Sequence, residues 1–271
     1  MKIANWVDVD KLDLYLLSMN YNAVDFLIEN PNKIDWDGLC QNTNPKIVDI
    51  INNNLDKVNW DYISQNPVLI DIIYNNLNKV NWDYLPENPE AIEIIEENID
   101  IINWNILSKN PNAIHILKEN EDFIDWYYLS SNTSPDAIPL FENNKNKINW
   151  YLISKNPNAI EFLNKNKDRI DWLGLSENPN AISLLKENKD KIDWIGLCEN
   201  VNGIEILREN PHKIEWYSLS SNPNAIELLK ENKDYIDWYE LSKNPNAIEL
   251  LKENKNKINW YSLSTNPSIF S

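Results

Sequence analysis

The chain has 271 residues, 42% of them hydrophobic, and a formal net charge of −17, enough apolar material for one large or two ordinary domains with a sizeable core. That acidity argues against a nucleic-acid backbone or an anionic membrane as the main partner, and it also keeps an elongated protein soluble. Glycine occurs 4 times, proline 14 times and tryptophan 12 times, so the turns are predicted to rest on Asn-Pro rather than on glycine.

Residues 1–11 lack the apolar core of a secretory signal, and no apolar run is long enough to span a bilayer. They read as an N-terminal cap that includes Trp6. From residue 12 to 271 the chain reads as a single repeat domain. Trp36, Trp60, Trp82, Trp104, Trp126, Trp150, Trp172, Trp194, Trp216, Trp238 and Trp260 recur every 22 residues, or 24 in two cases, and Leu14 stands one copy before them. The longer spacings come from Asn42-Thr43 and Thr133-Ser134, both inserted at the same joint, which marks that joint as a loop. Cys40 and Cys198 fall where other copies carry serine and read as small packing residues with no metal or redox spacing.

Residues 237–258 display the unit well. Asp237 is an N-cap, and Trp238, Leu241 and Ser242 share one face, which predicts a first helix over 238–243. Asn244-Pro245 is a second helix start, and Ala247, Ile248, Leu250 and Leu251 keep helical spacing, which predicts a second helix over 245–253. Asn254 sits where a left-handed helix end is expected, followed by a polar turn and Ile258. Six-residue helices are unstable alone and bury their stripes only by stacking. The fold class is therefore all-α, a right-handed α-solenoid of about twelve 22-residue helix-turn-helix repeats. A leucine-rich-repeat horseshoe also fits the period, but the unit lacks the Leu-x-Leu alternation of its strand.

Two asparagine rows recur in every copy. One runs from Asn20 and Asn42 to Asn244 and Asn266, the other from Asn30 and Asn54 to Asn232 and Asn254. Both are predicted to stack as hydrogen-bonded ladders. The tryptophan column reads as core. The free positions are those beside it. The residue after each Trp is acidic or polar early (Asp37, Asp61, Asp83, Asn105) and mostly tyrosine late (Tyr127, Tyr151, Tyr217, Tyr239, Tyr261), with Tyr128 adjacent. Tyrosine offers stiff amphipathic contact area, so these residues are the candidate partner-binding surface. Packing between repeats with only the hydroxyl exposed explains them equally well. An acidic row on the second helix (Asp25, Asp49, Asp71, Glu93, Glu161, Glu205, Glu227, Glu249) and a basic row three before the Trp position (Lys11, Lys33, Lys57, Lys79, Lys147, Arg169, Lys191, Lys213, Lys257) read as a solvated, self-compensating surface. Residues 1–110 carry 18 acidic and 7 basic side chains, so a basic partner is expected to favour that half.

Nothing in the sequence points to catalysis. His115 and His212 occupy different repeat positions, and no phosphate loop, nucleophile elbow or zinc spacing occurs. No cofactor or metal is expected.

The motif Ile-Asp-Trp-x-x-Leu-Ser-x-Asn-Pro-Asn-Ala-Ile-x-Leu-Leu-x-x-Asn resembles the short tryptophan-containing repeats of giant amoeba-infecting viruses of the mimivirus kind, over about residues 10–271. The resemblance implies a viral protein of the host cytoplasm or the virion and brings no activity or functional residues with it. Two functions remain open: a scaffold that binds a protein partner, or a structural, self-assembling protein. For the latter, the chain stops part-way into a twelfth second helix, which predicts an open last stack and an end-to-end homodimer through Ile269 and Phe270. If the tryptophans are core, Trp172→Ala should cost about 3–5 kcal/mol, read as a lowered melting temperature.

Overall fold

The computed structural model describes residues 2–270. Among them it is all-helical, a regular succession of short helices; the only strand-like pairing is an isolated antiparallel bridge between Ile3 and Phe270. Each unit begins with a helix on the tryptophan, as in Trp172–Glu177, whose cap Asp171 accepts from Gly174 N at 3.0 Å. The helix expected over 238–243 forms with those bounds, as do most of its equivalents, with shorter ones at Trp126–Ser130 and Trp260–Leu263.

The second helix starts later than its proline. Pro157–Ala159 is a 3₁₀ turn, and the α-helix runs over Ile160–Lys165. Asn156 causes this: its Oδ1 accepts from Asn158 N at 2.9 Å and its carbonyl from Ala159 N at 3.1 Å, which closes a tighter turn before the α-helix begins. The helix end differs from expectation too. Asn254 has φ −127°, and no described residue adopts a positive φ. Its Nδ2 donates to Leu250 O at 2.8 Å, which satisfies an orphan carbonyl without a left-handed residue. The second asparagine row is thus a series of local helix caps, not a ladder. Repeat four departs further. Pro86 cannot donate into an α-helix, and the Trp82 helix is replaced by a turn and a 3₁₀ segment, Leu85–Glu87.

The first asparagine row is a ladder. Asn178 is buried, and its Nδ2 donates to Ser154 O and Asn156 O of the preceding unit, both at 2.8–2.9 Å. The same pattern recurs at Asn42, Asn66, Asn88, Asn110, Asn200, Asn222, Asn244 and Asn266. A second ladder, not foreseen, comes from the asparagine two residues on: Asn180 Nδ2 donates to Pro157 O at 3.0 Å, and Asn202, Asn224 and Asn246 do likewise. A third is made by serine: Ser154 Oγ accepts from the cap amide of Asp171 at 3.0 Å. Between the ladders lies a continuous core of Leu17, Leu39, Ile63, Leu107, Leu175 and their equivalents, closed by the second helices.

These ladders do not stop at the ends of the chain. Asn20 Nδ2 donates to Ser264 O at 3.2 Å and to Asn266 O at 3.1 Å, Asn22 Nδ2 to Pro267 O at 2.9 Å, and Asp13 N to Ser264 Oγ at 2.8 Å. Each repeats a bond made between consecutive units elsewhere in the chain. The first unit therefore stacks on the twelfth, and the solenoid is a closed ring. Residues 3–12 complete the twelfth unit: Ala4 N donates to Ile269 O at 2.9 Å, Val7 and Leu12 enter the core, and Val9–Lys11 forms the 3₁₀ turn that elsewhere follows the second helix. Ile269 and Phe270 are buried in this joint. The open last stack and the end-to-end contact expected there are thus replaced by contact within the chain.

Consecutive Trp helices touch along the row, whereas the second helices stand farther apart. At Gly38 and Gly174 the approach leaves no room for a side chain, since a Cβ would fall 2.3 Å from the carbonyl oxygens of Tyr15 and Tyr151. The more tightly spaced row forms the inner wall. Twelve helices at ordinary interaxial distances of about 8–10 Å leave an opening on the order of 20 Å.

The tryptophans roof the core rather than fill it: every one in the repeat column is only partly buried. The basic row covers them. Lys191 Nζ lies 4.7 Å from the Trp172 ring centre, and Lys57, Lys79, Lys147 and Lys257 sit likewise over Trp36, Trp60, Trp126 and Trp238. Where that position is aromatic, Phe123 and Tyr235 stack on Trp104 and Trp216; in the remaining non-basic copy it is the exposed Ile101. The row read as a solvated surface is a cation–π layer between units. Across the seam Lys11 covers Trp260.

Three outcomes follow in unfolding measurements. Asn178→Ala strips the buried Ser154 carbonyl of its donor and the Asn156 carbonyl of one of two and should cost about 2–3 kcal/mol, against about 1 kcal/mol for the cap variant Asn232→Ala. Trp172→Ala should cost about 2 kcal/mol, since the ring is only partly buried, and a loss of 4 kcal/mol or more would restore the core reading. Ile269→Asp, placed in the seam, should enlarge the hydrodynamic radius of the folded protein as well as lower its melting temperature; an unchanged radius would contradict the closed ring.

Candidate functional site

The residue after each tryptophan faces away from the Trp–Leu stripe of an inner helix and so lines the wall of the opening. Tyr127, Leu173, Ile195, Tyr217, Tyr239 and Tyr261 are 40–58% exposed. Tyr151 is half-buried, and its hydroxyl donates to Glu177 Oε1 of the next unit at 2.9 Å. Tyr128 is half-buried, edge-on to Tyr127 and under Lys109. The candidate tyrosines therefore divide: Tyr151 and Tyr128 are packed into the wall, while Tyr127, Tyr217, Tyr239 and Tyr261 present their rings to the opening. The neighbouring Glu240 carboxylate raises the Tyr217 hydroxyl above the ordinary tyrosine value.

Asp37, Asp61 and Asp83 are exposed on the same wall. Asp61 accepts from Asn81 Nδ2 at 2.6 Å, and no lysine or arginine pairs with any of the three among the described residues. The wall's lysines are engaged: Lys109 with Glu87 at 2.9 Å, Lys155 with Glu177, and Lys243 with the buried Glu240 at 2.8 Å. Burial and hydrogen bonding to Glu177 push the Tyr151 hydroxyl up as well.

No protein-family model, curated protein or solved structure matches the chain. Any reading of the site thus rests on its own geometry. Ring closure sets that geometry. In chain order the wall reads acidic, then aromatic; in the ring Tyr261 also adjoins Tyr15, and Tyr15 adjoins Asp37. Eight successive units, from Tyr127 through Tyr261 to Tyr15, present an aromatic or aliphatic side chain, and the remaining four present Asp37, Asp61, Asp83 and Asn105. Leu173 and Ile195 belong to this surface although tyrosine drew attention away from them; their place in the same register was the signal.

The histidines lie elsewhere. His115 Nε2 is 2.9 Å from Glu96 on the exposed second-helix side, and His212 is exposed in a turn between units. The cysteines do more than fill space: Cys198 Sγ accepts from Glu215 N at 3.3 Å, the bond that serine makes in other units. Burial pushes both thiols up to about 11. Each should therefore resist iodoacetamide at pH 8 in the folded protein and react once it is unfolded. Their contribution to stability is full below pH 9, where thiols of the unfolded chain keep their protons, and is lost as pH rises through 11. Fast alkylation of the native protein at pH 8 would show the sites are open.

Proposed function

We propose that the protein is a non-catalytic interaction module that holds a protein partner against the inner wall of its ring. The observation that carries this reading is the run of exposed rings and aliphatic side chains at one repeat position, Tyr127, Leu173, Ile195, Tyr217, Tyr239 and Tyr261, on helices that are otherwise closely packed. Exposed apolar side chains gathered on one concave surface mark interaction sites. Here the scaffold positions do not vary and the wall positions do, which suits a frame that presents a chosen surface. The resemblance of the repeat to those of giant-virus proteins supports a viral origin and a working place in host cytoplasm or the virion; stacking of short paired helices favours the right-handed winding of α-solenoids. A structural role by end-to-end growth loses its basis, because the side chains that would have carried it are buried in the seam.

A tagged protein should retain a partner from infected amoebae that the Tyr217→Ala/Tyr239→Ala/Tyr261→Ala variant loses while keeping its melting temperature within a few degrees. An outer-rim variant, Glu205→Ala/Glu227→Ala, should keep it. Equal retention by all three proteins would remove the inner wall from the reading.

A further inference from the structure

Twelve units in a closed ring place any unit opposite the one six positions away. Across from Asp37, Asp61 and Asp83 stand Leu173, Ile195 and Tyr217. The first three are exposed carboxylates without a cationic partner among the described residues; the last three are 46%, 53% and 54% exposed. The opening is thus two-faced. One wall is apolar at the position after the tryptophan, from Tyr127 on one side to Tyr261 on the other; four residues along the same helices stand Glu177, paired with Lys155, and Glu199, which accepts from Ser218 Oγ at 3.4 Å. The opposite wall is acidic and uncompensated, although the wall's own lysines are all paired with glutamates.

Resting on the reading of the inner wall as the partner surface, we infer that the ring takes an α-helical segment of its partner lengthwise, apolar on one face and rich in lysine or arginine on the opposite face. The apolar face seats on Leu173, Ile195 and Tyr217, and the basic face reaches Asp37, Asp61 and Asp83. Three features favour this occupant. A helix with its side chains is about 10–12 Å across, which enters an opening on the order of 20 Å and lets long basic side chains span the remainder. A helix divides apolar from charged side chains by face, as the wall does. The carboxylates stand in three successive units, so one cationic face meets them together, whereas an acidic or uniformly apolar segment leaves them desolvated and unpaired. The Tyr239 ring needs little ordering on binding, since Lys243 lies over it at 4.2 Å.

The probe is a fluorescein-labelled designed helix with leucine on one face and lysine on the other, compared with a peptide of identical leucine face carrying glutamate. The full chain should bind the lysine peptide one to one and the glutamate peptide at least tenfold more weakly. Asp37→Asn/Asp61→Asn/Asp83→Asn, whose positions are exposed, should weaken the lysine peptide about tenfold and flatten its salt dependence. Leu173→Ser/Ile195→Ser should weaken both peptides. Equal affinity for both peptides, an unchanged affinity in the asparagine variant, or several peptides bound per chain would each overturn the inference. So would no binding of the lysine peptide by protein whose circular dichroism is native. If that happens while the tyrosine variant still loses its cellular partner, the inner wall remains the partner surface and only the helical, basic occupant is wrong.

Discussion

The structure depends on one side-chain amide used to its limit. The ladder asparagine has two N–H donors and one oxygen acceptor that matter here. At Asn200 the donors go to Ser176 O and Asn178 O of the preceding unit, and Oδ1 accepts from Asn202 N in its own turn. The carbonyls it meets lie at the C-terminal end of a six-residue helix, where no residue of that helix can satisfy them. Each helix is therefore finished by the next unit. Aspartate has no donors for two carbonyls, and glutamine is one methylene too long to serve both the carbonyls and its own turn. That is why the position holds asparagine in every unit, and why a helix too short to exist alone is stable in the stack.

An interaction that completes each unit from its neighbour leaves an incomplete unit at either end of an open array. Such arrays ordinarily need polar caps. Here the requirement is met by closure: the carbonyls of Ser264 and Asn266 are finished by Asn20, and the bare Trp260 ring is covered by Lys11. The amides, caps and first helices were legible in the sequence because each follows from the type of a residue and its near neighbours. Closure was not. Whether twelve units return to their start depends on a rotation of about 30° per unit, and that angle is set by how closely inner helices approach relative to outer ones. Gly38 and Gly174 hint at that approach, but the same position holds Tyr62, Tyr84 and Leu152 in other units, so no single letter carries the curvature.

The basic row shows a different limit. Lysine every 22 residues beside aspartate and glutamate looks like surface charge. The substitutions at that position say more. Phe123 and Tyr235 replace lysine in two units, and both stack on the tryptophan one unit back. A site that holds lysine, arginine, phenylalanine or tyrosine in every unit but that of Ile101 is one that faces a π surface. The second asparagine row failed in the opposite sense. Its regularity suggested a ladder, yet a carbonyl four residues back in its own helix is nearer than any neighbour, and the local bond won.

The inner wall joins these strands of argument. Scaffold positions are fixed by bonds between units, so variation is confined to side chains that no neighbour needs. Along an open solenoid the change from aspartate to tyrosine would be a gradient from one end to the other, and a partner would meet one character or the other. Closure folds the gradient back on itself, so that carboxylates at the start of the chain face Leu173, Ile195 and Tyr217 from its second half across a gap a helix can fill. The selectivity of the opening then arises from the ring and not from any unit. A substitution at the seam, far from Asp61 and Ile195, should weaken the two-faced contact as surely as one in the wall, because it changes which residues stand opposite each other.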